Sequence, residues 1–289
     1  MGRSSKDKRD IYYRNAKEEG WRARSAYKLL QLDETFHFFE GVHNAVDLCA
    51  APGSWSQVLS SKLEASQDGK IISVDLQSMA HIPGVMQLQG DITKETTANK
   101  VIELMDGKKA ELVVCDGAPD VTGLHDMDEY IQAQLVLAAL NITTHILKEG
   151  GTFVAKVFRG KDIDILCKQL ELYFDKLCLA KPRSSRTSSL EAFVVCNGFH
   201  MPPNCRPSLF NPLLNPDSCL QWDSLTEEER VVLPYVSCGD LSGFDSDCSY
   251  PLNMQGHAPY QYREPVQPPI NPPYEHAVKL KRANMLQQP

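Results

Sequence analysis

Three ionisable residues, Asp116, Lys156 and Glu191, occupy positions that ordinary packing would avoid. Asp116 lies in VVCDGAP, Lys156 in FVAKVF and Glu191 in LEAFVV, and Lys28 sits on an amphipathic stretch near the start. A charge inside or at the end of an apolar, strand-like run costs free energy unless it is paired or used. Two carboxylates with at least one lysine suit proton transfer and alignment beside a bound cofactor. The run VDLCAAPGSWSQVL, residues 46–59, supplies a place for that cofactor, because an apolar strand there empties into a turn containing Pro52, Gly53 and Trp55.

The make-up of that turn narrows the cofactor. A dinucleotide-binding turn uses G-x-G-x-x-G so that a pyrophosphate can approach helix amides closely. Here Ala50, Ala51 and Pro52 fill the turn and only Gly53 remains. Asp75 follows Gly53 by 22 residues, the spacing of an acid that accepts hydrogen bonds from ribose hydroxyls. An acid there also repels a 2'-phosphate, so an adenosine cofactor without diphosphate fits best, and S-adenosylmethionine meets both conditions. Asp91 is expected to accept from the adenine amino group, with helix capping as the alternative. Trp55 is expected to pack the cofactor side of the pocket, with plain core packing as its alternative.

These residues need elements to carry them. Short runs rich in valine and isoleucine at 44–49, 70–75, 85–89, 111–115, 151–158 and 190–196 read as strands. Helical patterns at 54–63, 95–105, 128–147 and 163–173 separate them, behind a leading amphipathic segment at 25–36. Ser54 is the expected N-cap of the helix after the turn, and Gly150 with Gly151 ends the long helix. The alternation predicts an α/β fold: a Rossmann-like, mostly parallel sheet with helices on both faces, its last two strands leaving room for an antiparallel edge. In such a sheet the site lies outside the carboxyl ends of the strands. Asp47, Asp75, Asp91 and Asp116 all fall at that rim.

Fourteen of the 18 prolines fall in residues 198–289. Residues 1–200 are therefore expected to form the domain, and 201–289 an acidic, proline-rich extension with at most a hairpin around VVLPYVSCGDL. Among nine cysteines no C-x-x-C pair occurs, so zinc clamps and dithiol redox chemistry find no support and no metal is expected. No apolar leader opens the chain and no run reaches about 18 apolar residues, so no membrane partner is expected. A cytoplasmic protein is the expectation. The net charge of -7 hides a segregation: residues 1–30 carry nine Lys or Arg against four acids, while residues 198–289 carry six against ten. Arg22 and Arg24, with Tyr12, Tyr13 and Trp21 interleaved, and the loop residues Lys181, Arg183 and Arg186 are the candidates for RNA contact.

Lys28, Asp116, Lys156 and Glu191, with the DLCAAPGSW turn and the CDGAP segment, resemble the Lys-Asp-Lys-Glu tetrad of the FtsJ/RrmJ family of RNA ribose 2'-O-methyltransferases. The resemblance covers roughly residues 1–200 and is closest to the eukaryotic branch that methylates tRNA anticodon loops. It implies transfer of a methyl group from S-adenosylmethionine to ribose 2'-hydroxyls at positions 32 and 34. It implies Lys156 as general base, with protonated Lys156 stabilising developing charge as the alternative. It further implies that Asp116 stands beside the methyl donor, that Lys28 and Glu191 hold the ribose, and that separate partners, including a WD-repeat subunit, choose the position. PVQPPINPPY offers a polyproline II segment for docking. An mRNA cap or rRNA ribose methyltransferase would use the same four side chains. A catalytically inactive RNA-binding module and an NAD-dependent dehydrogenase are the readings from other classes.

Overall fold

The computed structural model describes residues 10–63, 69–119, 125–160, 163–203, 205–207, 209, 242–244, 248–262 and 274–283. Seven strands form one sheet: β1 (Ala45–Leu48), β2 (Ile71–Asp75), β3 (Val85–Gln89), β4 (Ala110–Cys115), β5 (Leu147–Phe158), β6 (Phe174–Ala180) and β7 (Glu191–Phe199). Their order is β3-β2-β1-β4-β5-β7-β6. The first five are parallel, and β7 runs antiparallel to both β5 and β6. The chain moves outward from β1 through β2 to β3 and then returns to β4 on the other side of β1. The topological switch, where ligands of such sheets bind, is therefore between β1 and β4.

The sheet is covered on both faces, as the short apolar strands require. One core packs Val46, Val113, Phe153, Ala155 and Val194 against α4 (Glu95–Met105), α5 (His125–Ile146) and α6 (Ile163–Glu171). The other packs Ala45, Val114, Val154 and Phe193 against α2 (Ala26–Phe36) and α3 (Ser54–Leu63). Strand alternation decides which side chains share a face. Val154 belongs to the second core, so Lys156 points to the α2 side; Phe193 and Val195 place Glu191 there in the same way. The register pairs Cys115 with Ala155, Lys156 with Phe193 and Phe158 with Glu191, so Asp116, Lys156 and Glu191 arrive side by side at one rim.

Several expectations need correction. Phe174–Ala180 is a strand without an apolar run to mark it, and the reason is exposure: at the sheet edge FDKLCLA shows only Phe174 fully to the core. The antiparallel strand is consequently not the edge but lies between β5 and β6. A short helix, α1 (Ile11–Glu18), precedes α2, capped by Asp10 accepting from the Tyr13 amide at 3.3 Å. Ser54 begins α3, but its hydroxyl shares a hydrogen bond with Ser25 Oγ at 2.6 Å and so ties two helices together. α5 runs directly into β5 at Leu147, and the chain turns through Gly150 at φ +77° inside that strand.

The chain divides into two units, Met1–Val231 and Val232–Pro289. The second contains α7 (Glu275–Arg282), a helix with no buried residue and an ion pair between Glu275 and Lys279. The hairpin expected near 231–241 and most of PVQPPINPPY lie outside the described residues. No described helix is long and apolar enough to cross a membrane.

Candidate active site

The four charged residues form two close pairs at the carboxyl ends of the parallel strands. Lys156 Nζ lies 3.0 Å from Asp116 Oδ1 and donates a 2.7 Å hydrogen bond to the main-chain oxygen of Asp116. Oδ1 is buried and meets Lys156 as an ion pair. Lys28 Nζ donates to Glu191 Oε2 at 2.6 Å and stands 5.7 Å from the centre of the Phe193 ring. Glu191 Oε1 accepts from Ser185 Oγ at 2.7 Å.

What puts Lys28 there is apolar burial of its helix. Leu29 and Leu32 are at most 2% exposed, and burying a leucine contributes about 1.5–3 kcal/mol. The Lys28–Glu191 pair is itself partly desolvated, so its net contribution to placing α2 is small by comparison. The indole Nε1 of Trp55 donates to Ser25 O at 2.8 Å and locks α2 to α3. Trp55 is 1% exposed and its ring packs on Phe193. The expectation that this indole lines the cofactor pocket is therefore corrected: the ring is core. Trp55 can serve a cofactor only through its backbone N–H, one of the unpaired donors in the first turn of α3.

Electrostatics in the tetrad follow from the pairing. Burial works to depress the Lys156 pKa, but the charge and hydrogen bonding of Asp116, followed by Glu191, outweigh it and hold the amine above the ordinary lysine value. Burial works to raise the Glu191 carboxyl, and here Lys28, then Ser185 and Lys156, prevail and keep it below the ordinary value. Lys156 thus rests as an ammonium and Glu191 as a carboxylate.

The β1–α3 turn is compact. Ala50 N bonds Val74 O at 3.0 Å, Gly53 N bonds Ala50 O at 2.7 Å, and Gly53 has φ +102°. That φ strains any residue with a Cβ, which at Gly53 would also press on Arg22 Nη1 at 2.7 Å and the Ile82 methyl at 2.8 Å. Asp75 accepts from Ala51 N and Gln77 N, each at 2.8 Å. A carboxylate offers about four acceptor directions, so both oxygens keep capacity for ribose hydroxyls. Asp91 Oδ1 accepts from the Thr93 amide and hydroxyl at 2.9 and 2.7 Å, while Lys94 is the N-cap of α4. The glycine, the carboxylates and the free helix amides form a donor and acceptor set that fits an adenosine-containing methyl donor.

The RNA candidates divide. Arg22 donates to Pro52 O at 3.0 Å and His81 O at 2.9 Å, so the expectation of an RNA-directed guanidinium is corrected: it braces the cofactor turn. Arg24 pairs with Asp10 and donates to Ser184 O, which pins the basic loop beside α2. Lys181 donates to Ser189 O at 2.6 Å and is exposed, as are Arg183 and Arg186. The loop's other anchor is Gln31, which accepts from the Ser184 amide at 2.9 Å.

Two further residues matter: Asp47, which the sequence places at the rim without a task, and Gln132, which it does not single out. Asp47 is fully buried; Ser56 Oγ donates to its Oδ2 at 2.6 Å and Oδ1 has no partner. Burial raises its carboxyl to about 8, opposed by Ser56 and reinforced by Asp116 and Asp75. Its signal was visible, a carboxylate between Val46 and Leu48. Gln132 of α5 donates to Gly117 O at 3.0 Å and Lys156 O at 2.8 Å, joining the two strands that carry the Asp116–Lys156 pair. Nothing in a helical pattern marks such a residue.

Residues 21–199, which hold all four charged residues and the turn, match the sequence description of FtsJ-like methyltransferases. The chain belongs to the FtsJ-like methyltransferase family. It is thus an enzyme of methyl transfer. A human protein named tRNA (cytidine(32)/guanosine(34)-2'-O)-methyltransferase is 59% identical over 99% of this chain and 87% of its own length. The Schizosaccharomyces pombe protein of the same name is 52% identical, covering 99% of this chain and 100% of its own. A ribosomal RNA methyltransferase crystal structure from Plasmodium falciparum matches with a TM-score of 0.54 and 29% identity, over 62% of this chain and 98% of that one.

Proposed function

We propose that this enzyme methylates ribose 2'-hydroxyls of tRNA at anticodon-loop positions 32 and 34, with S-adenosylmethionine as donor. The observation that carries the reading is the pairing of Lys156 with Asp116 beside Lys28 with Glu191, at the rim where the Gly53 turn ends. S-adenosylmethionine supplies an electrophilic methyl group when bound, so the protein's task is to align and deprotonate a weakly acidic hydroxyl. Gly53, Asp75, Asp91, Asp116 and the Trp55 N–H would hold it. Lys156 takes the 2'-proton; Asp116 orients its amine; Lys28 and Glu191 hold the ribose. Lys156 must first shed its own proton, and added positive charge in the site, the direction a sulfonium imposes, lowers its proton affinity.

The tRNA target is supported by the names of relatives matching 99% of the chain. Arg24, Lys181, Arg183 and Arg186 form the basic ground for its phosphates. Separate proteins, a WD-repeat subunit among them, choose the position, and the acidic extension is their docking arm. Cys49, Cys115, Cys167, Cys178, Cys196 and Cys205 carry free thiols, which suits a cytoplasmic enzyme. The test is to map ribose methylation on tRNA transcripts incubated with the protein, its partners and S-adenosylmethionine. Methylation at 32 and 34 that disappears in Lys156→Ala is expected; methylation of rRNA or of a cap instead would overturn the tRNA assignment.

A further inference from the structure

A second concavity opens at the same rim. It has a volume of about 280 Å³ and lies between the first turns of α5, the end of β5 and α6. Its described lining includes two acidic residues, Asp126 and Glu129, together with Tyr130 and Gln132. Gln132 is only 2% exposed. Both hydrogens of its Nε2 are committed to Gly117 O and Lys156 O, which fixes the orientation of the amide. Oε1 is left buried without a hydrogen-bond partner, a state that costs stability until a donor arrives.

The rest of the lining has a matching character. Tyr130 is 61% exposed and contributes to the wall, Phe158 adds a second ring, and α6 supplies an aliphatic side. Gly160 makes room for Glu129, since a Cβ there would collide with the carboxylate. A cavity with two carboxylates and aromatic rings in its lining calls for a flat group that carries N–H donors. Its negative charge turns phosphate away, so a base edge enters and the backbone stays outside.

We propose that this cavity holds one amine-bearing nucleobase of the strand whose ribose is methylated. The exocyclic amines of cytosine, guanine and adenine are donors to carboxylate and amide oxygens; uracil and hypoxanthine lack them. Gln132 links the two sites, because it lines the cavity and its Nε2 also holds the backbone of Lys156. The inference rests on the RNA-methylating function proposed above.

The test uses the full-length protein and anticodon stem-loop RNAs. Binding is measured by fluorescence anisotropy and methyl transfer is followed in parallel. Loop amines are removed singly: inosine for guanosine, uridine for cytidine, purine riboside for adenosine. At one position the replacement weakens binding about 10-fold or more. Glu129→Gln weakens binding of the unmodified RNA by a similar factor, and the two losses do not add. Glu129 is partly exposed, so the variant folds; Gly160→Ala, which displaces the same carboxylate, gives the same pattern. Losses that add at every position, or a Glu129→Gln protein that binds like wild type, overturn the pocket even if methyl transfer is intact. Non-additive losses in a protein that transfers no methyl group would uphold the pocket and overturn the activity.

Discussion

Lys156 meets opposing demands, since the pairing that places it also keeps it protonated. An unperturbed lysine is neutral in only about one molecule in 2,500 at pH 7, and Asp116 moves Lys156 further from that state. If Lys156 takes the 2'-proton, single-turnover rates measured with cofactor and tRNA bound rise with a log slope near one from pH 6 to about 9. A rate that stays flat over that range would assign the lysine a purely electrostatic part. Lys156→Arg keeps the charge without the base, and its expected rate loss is about 10²- to 10⁴-fold. Asp47 gives a second pH signature, this time in stability. Its folded pKa of about 8 exceeds the ordinary carboxyl value, so the native state holds a proton that the unfolded state releases. The stability contribution is complete below pH 4 and is lost as the pH rises towards 8. The melting temperature of Asp47→Asn should therefore fall less between pH 5 and 8 than that of wild type. Asp116, Lys156 and Glu191 were legible because a charge in an apolar run stands out in one dimension, whereas Lys28, on an amphipathic stretch, stood out only through the family resemblance. Gln132 and Ser185 were not, because a buried amide and a small hydroxyl acquire their importance only from what folding brings opposite them.

Among the elements, the β1–α3 turn shows how placement can reassign a residue. Arg22 reads as a phosphate ligand in a basic leader, yet its guanidinium ties Pro52 O in the turn to His81 O in the connection between β2 and β3. Each such bond contributes about 0.5–1.5 kcal/mol net. Arg22→Met should therefore weaken S-adenosylmethionine binding by about 5- to 160-fold at most by isothermal titration and affect RNA affinity much less; the reverse order would restore Arg22 to the RNA surface. The strands buried on both faces were readable as continuous apolar runs, and so were the helices between them. β6 was hidden by its position at the edge, where residues face water and alternation fades. Trp55 was ambiguous because a large aromatic after a turn serves core and pocket equally well, and only its 1% exposure separates the two.

For the whole molecule, the net charge of -7 conceals a basic approach and an acidic extension. RNA affinity should follow the local patch. A double substitution of Arg183 and Arg186 by alanine is expected to weaken tRNA binding similarly for all sequences. It should also reduce the slope of log K against log salt by roughly 1.4, as two phosphate contacts on a single strand require. An unchanged slope would place the phosphates elsewhere.

Because β7 runs against its parallel neighbours, its catalytic end is where the chain enters the strand. Arg183 and Arg186 precede Glu191 by eight and five residues, with no helix or strand between. Ser184 and Ser185 fasten that short tether to Gln31 and to Glu191 itself. A phosphate seated on the loop would pull on the carboxylate that pairs with Lys28, so grip and readiness are mechanically in series: the hand that takes the strand is jointed to the finger that steadies the ribose.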